Sequence, residues 1–317
     1  MARKNQNREI LIAVIGVTGA GKTTFISRAS GRTDLEVGHS IDSCEQGQAR
    51  KFSASANQGY PTGTQEVIPV TFTLDHRTVT LIDTPGFDDS DRSDADILAL
   101  VANHMAQTYE QGKLLTGVIF VQPINQARLQ GSEARRNRLF KKILGEDAYK
   151  RVIIATTMWN QVSEEEATLR VDQRRSRNDV WGDMVKLGAQ IERHDDNAAS
   201  AAAIIRKLMK FESPLELQLQ KELLQTGGKV ALTSAGKQLD EDLGAMISKL
   251  RSEIEELKSE REDTSRELEE LKYKIQGYEQ EKKAMQEADV SVLSVRCPFP
   301  RSFSSTGPGV SSWRGIG

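Results

Sequence analysis

Cysteine is scarce in this sequence, and the two cysteines present, Cys44 and Cys297, lie far apart. They form neither a disulfide framework nor a metal-binding spacing, so a reducing compartment is expected. Long apolar runs are also missing. No stretch approaches the ~18 apolar residues of a transmembrane helix, and the apolar stretch after the basic start is too short for a signal peptide. We therefore expect a cytoplasmic protein with no transmembrane segment.

The sequence also lacks a strong excess of one charge, since 43 Lys and Arg stand against 45 Asp and Glu. A protein that binds nucleic acid or an anionic membrane mainly by electrostatics carries a basic surplus, so neither partner is expected. Hydrophobic residues make up only 38% of the chain and are concentrated in its first 235 residues. This distribution indicates one globular domain followed by more solvated material.

Apolar runs and amphipathic stretches alternate through the first two-thirds of the chain. Ile10–Ile15 is a continuous apolar run that ends in glycine, as in a strand buried on both faces of a parallel sheet. Val67–Leu74 and Thr78–Asp83 predict an antiparallel pair. Further predicted strands are 117–123, 151–157 and 190–193, and the predicted helices are 24–30, 95–109, 133–144, 164–177 and 198–210. This alternation predicts a doubly wound α/β domain with a mostly parallel sheet.

The first predicted strand runs into a glycine-rich stretch, Gly16–Thr23, that matches every position of the P-loop pattern and precedes a predicted helix. In such a loop successive backbone N–H groups point at the β-phosphate. The lysine reaches the β- and γ-phosphates, and the last hydroxyl binds Mg²⁺. The helix N-terminus adds positive partial charge at the same place. The expected phosphate-binding residues are Gly16, Thr18, Gly19, Ala20, Gly21, Lys22, Thr23 and Thr24, and Thr23 is the expected metal ligand.

A second motif, Leu81–Gly86, ends an apolar strand with a carboxylate that is followed three residues later by glycine. In P-loop switch proteins this carboxylate holds a water of the Mg²⁺ shell, and the glycine amide reaches the γ-phosphate. The same residues also form a good turn sequence, and the two interpretations are compatible because the sensor has to be a turn. We therefore expect Asp83 at the metal and Gly86 at the phosphate.

Together these motifs resemble the septin-like and immunity-associated (AIG-type) branch of P-loop GTPases, especially a fungal group that joins a G domain to a coiled coil. The resemblance runs from Ile10 to about Leu224. It implies a three-layer P-loop NTPase G domain, GTP or GDP with Mg²⁺ as cofactors, and a homodimer paired across the nucleotide. The shared phrases are Ile15–Ile26, Leu81–Asp89, Ala155–Trp159, Trp181–Met184 and Arg193–Asp195.

The first switch loop departs from the family pattern. The family places a Mg²⁺-sensing threonine directly after a Ser-Cys pair, whereas here that pair is followed by Glu45–Gly63 and only then by Thr64. We interpret 45–63 as an insertion, with Thr64 as a metal residue and Thr62 as the alternative. Because the cost of loop closure grows only with the logarithm of length, the insertion need not unfold the domain.

Base recognition also departs from the common pattern. Many GTPases carry Asn/Thr-Lys-x-Asp, and its aspartate accepts two hydrogen bonds from guanine. The corresponding residues here run from Thr157 to Asn160. Asn160 can accept one such bond but not both, so weaker guanine selectivity is expected and ATP stays an alternative. The resemblance adds His194 to the base-binding residues, and an ordinary surface histidine is the alternative there.

Catalysis is expected to be weak. Fast GTPases often carry a water-orienting glutamine after the glycine of the second motif, but Phe87 occupies that position here. No residue is therefore assigned as catalytic, and hydrolysis should be slow unless a partner completes the site. A second copy could supply an arginine, and Arg128, Arg135 and Arg136 lie near candidate pairing loops. The alternative is a non-hydrolysing, nucleotide-dependent scaffold.

The C-terminal part carries apolar residues at heptad spacing, flanked by charges. This pattern predicts a coiled coil that mediates self-assembly or partner capture, with one solvated helix as the alternative. Deleting residues 238–289 is accordingly expected to lower the oligomeric state without loss of nucleotide affinity. The predicted segments are a flexible N-terminus at 1–9, the G domain at 10–224, a linker at 225–238, the coiled coil at 239–286 and a disordered tail at 287–317.

Overall fold

The computed structural model describes residues 9–33, 35, 67–87, 93–126, 131–260 and 265–290. The predicted insertion at 45–63 lies outside the described residues, as do Thr62, Thr64 and Arg128.

A six-stranded sheet forms the centre of the fold, in the order β2-β3-β1-β4-β5-β6. Only the β2–β3 pair is antiparallel, and the other pairs of this sheet are parallel. The strands are β1 Ile10–Gly16, β2 Ile68–Leu74, β3 Arg77–Asp83, β4 Gly117–Pro123, β5 Val152–Thr157 and β6 Gln190–Arg193. Asp75 and His76 form the turn between β2 and β3 with φ of 48° and 60°. All six predicted strands are therefore confirmed to within about a residue at either end.

The helices are α1 Lys22–Ser30, α2 Asp94–Glu110, α3 Gly131–Leu144, α4 Glu164–Ser176, α5 Asp183–Lys186, α6 Ala198–Met209, α7 Gln218–Gln225, α8 Ser234–Glu260 and α9 Ser265–Glu287. Three of them begin at side-chain caps, because Ser93, Ser163 and Asn197 each accept a hydrogen bond from a backbone N–H in the first turn. None of the described helices is long and apolar enough to cross a membrane.

Helices cover both faces of the sheet. Leu11 and Ile15 of β1 pack into one apolar cluster with α2 and α3, whereas Ile12 and Val14 pack into a second cluster with α1 and α6. This explains why the first strand is apolar at every position rather than at alternate ones. The architecture is a three-layer α/β fold with a mostly parallel sheet, so the predicted P-loop NTPase fold class is confirmed.

The two C-terminal helices form an antiparallel hairpin within one chain. Lys282 of α9 lies 2.9 Å from the Asp240 carboxylate of α8, and Arg251 of α8 lies 2.8 Å from Glu279 of α9. The heptad residues of this hairpin bury one another. The helical prediction for this region is therefore confirmed, but the seam is filled by the two helices themselves. Its main buried residues are Ile247, Ile254, Leu271 and Ile275.

Two predicted boundaries need correction. Residues 225–238, predicted as a linker, include Val230 and Ala235, whose side chains are fully buried in the main core. The tail predicted from residue 287 begins too early, because Val290 is also buried in that core and Asp289 forms a β-bridge with Lys229. Val230, Ala235 and Val290 fill positions in the main core, which a compositional reading cannot detect.

Candidate functional site

The loop between β1 and α1 turns on two glycines. Gly19 and Gly21 have φ of 74° and 91°, in the left-handed region that side chains disfavour. Between them, Ala20 is fully buried. Gly16 permits a close approach, since a Cβ atom there would lie 2.5 Å from the Val121 carbonyl oxygen. The P-loop glycines are therefore required by the backbone path.

Lys22 begins α1, and its side chain is buried against the loop. Its Nζ donates to the carbonyl oxygens of Gly16 and Val17 at 3.2 and 3.0 Å. The ammonium group is thus held at the start of the same loop whose later residues form the turn. A mobile cation in this position can exchange carbonyl partners for phosphate oxygens.

Thr23 and Asp83 lie together although they are far apart in sequence. The Thr23 hydroxyl donates to Oδ2 of Asp83 at 2.8 Å. Asp83 ends β3 in register with Val14 of the parallel strand β1, so both groups lie at the same edge of the sheet. Asp83 is almost fully buried. A hydroxyl and a carboxylate are the oxygen ligands that Mg²⁺ takes, so these residues fit the ion.

No group of three or more His, Cys, Asp or Glu side chains is placed to hold a metal within the described ranges. Mg²⁺ is commonly bound through one or two protein ligands together with waters and the phosphates of a substrate. The Thr23–Asp83 pair matches that mode rather than a cage built from protein alone.

The end of the second motif is hydrogen-bonded to the P-loop. The Thr18 N–H donates to the Phe87 carbonyl at 3.0 Å, and the Phe87 N–H donates to the Gly16 carbonyl at 3.3 Å. The Thr18 hydroxyl donates to the Gly86 carbonyl at 3.2 Å. Phe87 itself is buried in the core. These three hydrogen bonds join Gly86 and Phe87 to the P-loop, and the Thr23–Asp83 bond is a further connection between the two motifs.

Replacing Gly86 by alanine should therefore damage the site. The new Cβ would lie 2.4 Å from both the N and the Oγ1 of Thr18, and backbone atoms cannot move away cheaply. We expect a loss of about 1–3 kcal/mol in the free energy of unfolding, measured in urea, and weaker binding of triphosphate. Gly277→Ala is the control, because a Cβ atom added to that helical glycine would have no neighbour within 4 Å among the described residues. Equal stability of the two variants would contradict the close-packing argument.

The loop after β5 is connected to the P-loop. The Thr157 hydroxyl donates to the Ala20 carbonyl at 2.8 Å, so this side chain positions the loop. Met158 has φ of 64°, and the chain then turns through Trp159. Asn160 is exposed and makes no side-chain hydrogen bond to any described residue. The structure brings Thr157 to the P-loop, and base contacts by Thr157 and Asn160 stay predictions.

His194 is buried, so its interpretation as a surface residue is wrong. Its ring packs edge-on against Phe25 of α1, with centroids 4.9 Å apart, and its Nδ1 lies 2.9 Å from the Ser200 hydroxyl. Burial lowers the pKa of this histidine, because a buried ring is less easily charged. These contacts tie the loop after β6 to the helix that follows the P-loop. A contact of His194 with a base stays a prediction.

Arg135 and Arg136, the described candidates for an arginine supplied to a second copy, lie in different surroundings. Arg135 donates to the Met246 sulfur of α8 and is therefore engaged with the C-terminal hairpin. Arg136 lines a cleft beside the P-loop together with Gly16 and Phe87. Arg135 is accordingly the weaker candidate for contact with a nucleotide.

Sequence reasoning missed the support of the loop after β4. Arg170 of α4 donates to the Ile124 carbonyl at 2.8 Å, and Arg174 forms a buried ion pair with Glu133 at 2.9 Å. In sequence these arginines belong to a highly charged helix whose pattern indicates a solvated surface. Their i,i+4 spacing was the only available signal that they share one helix face.

No family model matches this chain, and no curated protein matches it. Similar solved structures include Toc33 from Arabidopsis thaliana in complex with Mg²⁺ and GMPPNP, which is 11% identical with a TM-score of 0.45 over 67% of this chain and 89% of that chain. Era from Aquifex aeolicus bound to GDP·AlF₄⁻ is 15% identical with a TM-score of 0.41, over 66% of this chain and 58% of that chain. The G domain of the T. maritima FeoB iron transporter is 18% identical with a TM-score of 0.37, over 65% and 100%. Likeness at these values assigns no function to the chain.

Proposed function

We propose that this chain is a guanine-nucleotide-binding switch protein that binds GTP with Mg²⁺ and hydrolyses it slowly. The observation that carries the proposal is the convergence of Lys22, Thr23 and Asp83 at one edge of the sheet, with Thr23 and Asp83 joined at 2.8 Å. A phosphate cradle, a mobile cation and a pair of magnesium ligands occur together in a triphosphate site. Their separation by 60 residues of sequence makes a chance turn an inadequate explanation.

In this proposal each residue has a defined part. Lys22 neutralises the charge of the phosphates, and Gly86 senses the γ-phosphate. The other proposed phosphate-binding residues are Gly16, Thr18, Gly19, Ala20, Gly21, Thr23 and Thr24. Mg²⁺, when bound, adds positive charge that stabilises the developing negative charge on the phosphates. Thr23, Asp83 and Thr64 would hold it. Thr157, Asn160 and His194 are proposed for the base.

The proposal extends to family, location and assembly. The family is the septin-like and AIG-type branch of GTPases, with a cytoplasmic location and pairing of two G domains across the nucleotide. The buried ring of Phe87 supports slow hydrolysis by a single copy, because no hydrogen-bonding side chain stands at that position. A second copy is the proposed source of the missing group.

Hydrolysis should therefore rise with protein concentration. In single-turnover assays at increasing concentration, we expect the rate constant to increase as dimers form, since an arginine supplied in trans can add roughly 10³–10⁵ in rate. Sedimentation under the same conditions measures dimer formation. A rate that stays at background in a dimeric sample would favour the second candidate, a non-hydrolysing scaffold.

The selectivity of the site for guanine should depend on the side chain at position 160. We expect GTP to bind more tightly than ATP or XTP in equilibrium titrations, but with modest selectivity. Asn160→Asp should raise GTP affinity by about tenfold, because a hydrogen bond to a charged acceptor contributes roughly 1.5–3 kcal/mol. Gln161→Glu, which places the same charge one residue further, is the control. Tighter binding of ATP than GTP by the unaltered chain would overturn the guanine assignment.

A further inference from the structure

The C-terminal hairpin, formed by α8 and α9, packs against α2 and α3. Asp242 of α8 is mostly buried and pairs with Arg138 of α3 at 2.8 Å. Met285 of α9 is buried in the same apolar cluster as α2 and α3. The hairpin is therefore anchored by both charge and apolar burial, unlike a free coiled coil.

Hydrogen bonding connects α9 to the beginning of α2. The Ala95 N–H donates to the Glu281 carboxyl oxygen at 3.2 Å, across 186 positions of sequence. The first N–H groups of a helix lack partners within the helix, and Ser93 satisfies only that of Asp96. Glu281 thus acts as a second cap for α2 that is supplied by the hairpin.

The environment of Glu281 disfavours the charged form of its carboxyl group. Burial is the main cause that raises the pKa of its carboxyl group, and the negative charge of Asp94 adds to the effect. The hydrogen bond to Ala95 and the nearby Arg135 act in the opposite direction. A glutamine, which keeps a carbonyl oxygen and carries no charge, should therefore preserve the contact.

The beginning of α2 is tethered to the P-loop through a short stretch of chain. Phe87 is bonded to Gly16 and Thr18, and only residues 88–92 separate it from the cap at Ser93. Phe87, Ala95 of α2 and Met285 of α9 are also buried in one apolar cluster. A displacement of Phe87 therefore disturbs the packing beneath the capped end of α2.

We propose that the α8–α9 hairpin regulates the nucleotide site: its docking through Glu281 stabilises Gly86 and Phe87 against the P-loop and opposes their rearrangement toward a γ-phosphate. This inference rests on the proposed function. In the docked state the Gly86 and Phe87 carbonyls accept hydrogen bonds from the hydroxyl and the N–H of Thr18, and their release would free that N–H for a phosphate. Triphosphate binding and hairpin docking are then negatively linked, and the linkage acts equally in both directions.

The linkage can be measured as a ratio of two affinities. We would titrate a slowly hydrolysed GTP analogue and GDP into the unaltered chain, Glu281→Ala, Glu281→Gln and Glu279→Ala. Glu281→Ala should increase the preference for the analogue over GDP by about fivefold or more, as is typical of allosteric coupling. Glu281→Gln should stay near the unaltered ratio. Glu279→Ala is the matched control, because Glu279 pairs with Arg251 inside the hairpin.

The reverse direction needs no variant. Hydrogen exchange of α9 in the unaltered chain should be faster with the GTP analogue than with GDP. An unchanged affinity ratio in Glu281→Ala, or equal exchange of α9 in the two nucleotide states, would overturn the coupling while triphosphate binding stands. Absence of binding by the unaltered chain would instead overturn the proposed function on which the coupling rests.

Discussion

Lys22→Ala should abolish measurable triphosphate binding while the chain stays folded. In the proposed site this side chain supplies the mobile positive charge that reaches the β- and γ-phosphates. A buried cation that faces phosphate oxygens contributes far more than an exposed one, because water screens the attraction less. We expect the affinity of Lys22→Ala for triphosphate to fall below detection in calorimetric titration. It should also be lower than the affinity of any variant with a single substitution at a proposed base-binding residue.

The fold should tolerate this change, because the Lys22 ammonium donates to the carbonyl oxygens of Gly16 and Val17 within the loop itself. The loss of two hydrogen bonds costs about 1–3 kcal/mol together. Circular dichroism and thermal unfolding measure this. Lys113→Ala, at an exposed lysine, is the control for loss of charge. Unchanged affinity in Lys22→Ala would refute the phosphate site.

Deleting residues 238–289 should destabilise the whole domain rather than only lower its oligomeric state. The deletion removes Leu239, Leu243 and Met285, all buried in the main apolar cluster. Each fully buried side chain of this kind contributes about 1.5–3 kcal/mol. The combined loss approaches the 5–15 kcal/mol that typically separates folded from unfolded proteins. We therefore expect aggregation or loss of cooperative thermal unfolding, which corrects the sequence-based expectation of an intact nucleotide site.

Two point variants on α9 test whether the hairpin is part of the core without removing it. Met285 is 1% exposed and Tyr273 is 78% exposed. Met285→Ala should lower the free energy of unfolding by about 2–5 kcal/mol, whereas Tyr273→Ala should change it by less than about 0.5 kcal/mol. Urea titrations give both values. Similar small changes in the two variants would mean that the hairpin is not part of the core.

The sheet and the phosphate site were predictable because their signals are local. The apolar run before Gly16 predicts a strand that is buried on both faces of the sheet, and the glycine spacing predicts the turn that follows it. The hairpin was not predictable in the same way. A heptad seam has the same sequence pattern whether its partner helix comes from the same chain or from another, so Ile254 and Leu271 could not reveal that they face each other.

Buried polar residues were the other source of error. Arg174, Glu133 and His194 are types that usually lie at the surface, and only their partners in space explain their burial. Those partners lie on other elements of the fold. For Asn160 the difficulty is a different one. Its donor and acceptor groups show which base edges it could bind. Its exposed side chain, however, has no partner among the described residues that fixes its direction.

The burial of Met285 and Val290 against α2 and α3 has a consequence for synthesis. Domains generally fold as units during synthesis, N-terminal domains first. Here a nascent chain that already contains the P-loop, all six strands of the sheet and the base loop still lacks the residues that close one side of its core. That apolar side stays exposed until α9 has been made, so we expect the nucleotide site to reach its final form only after the chain has passed residue 290.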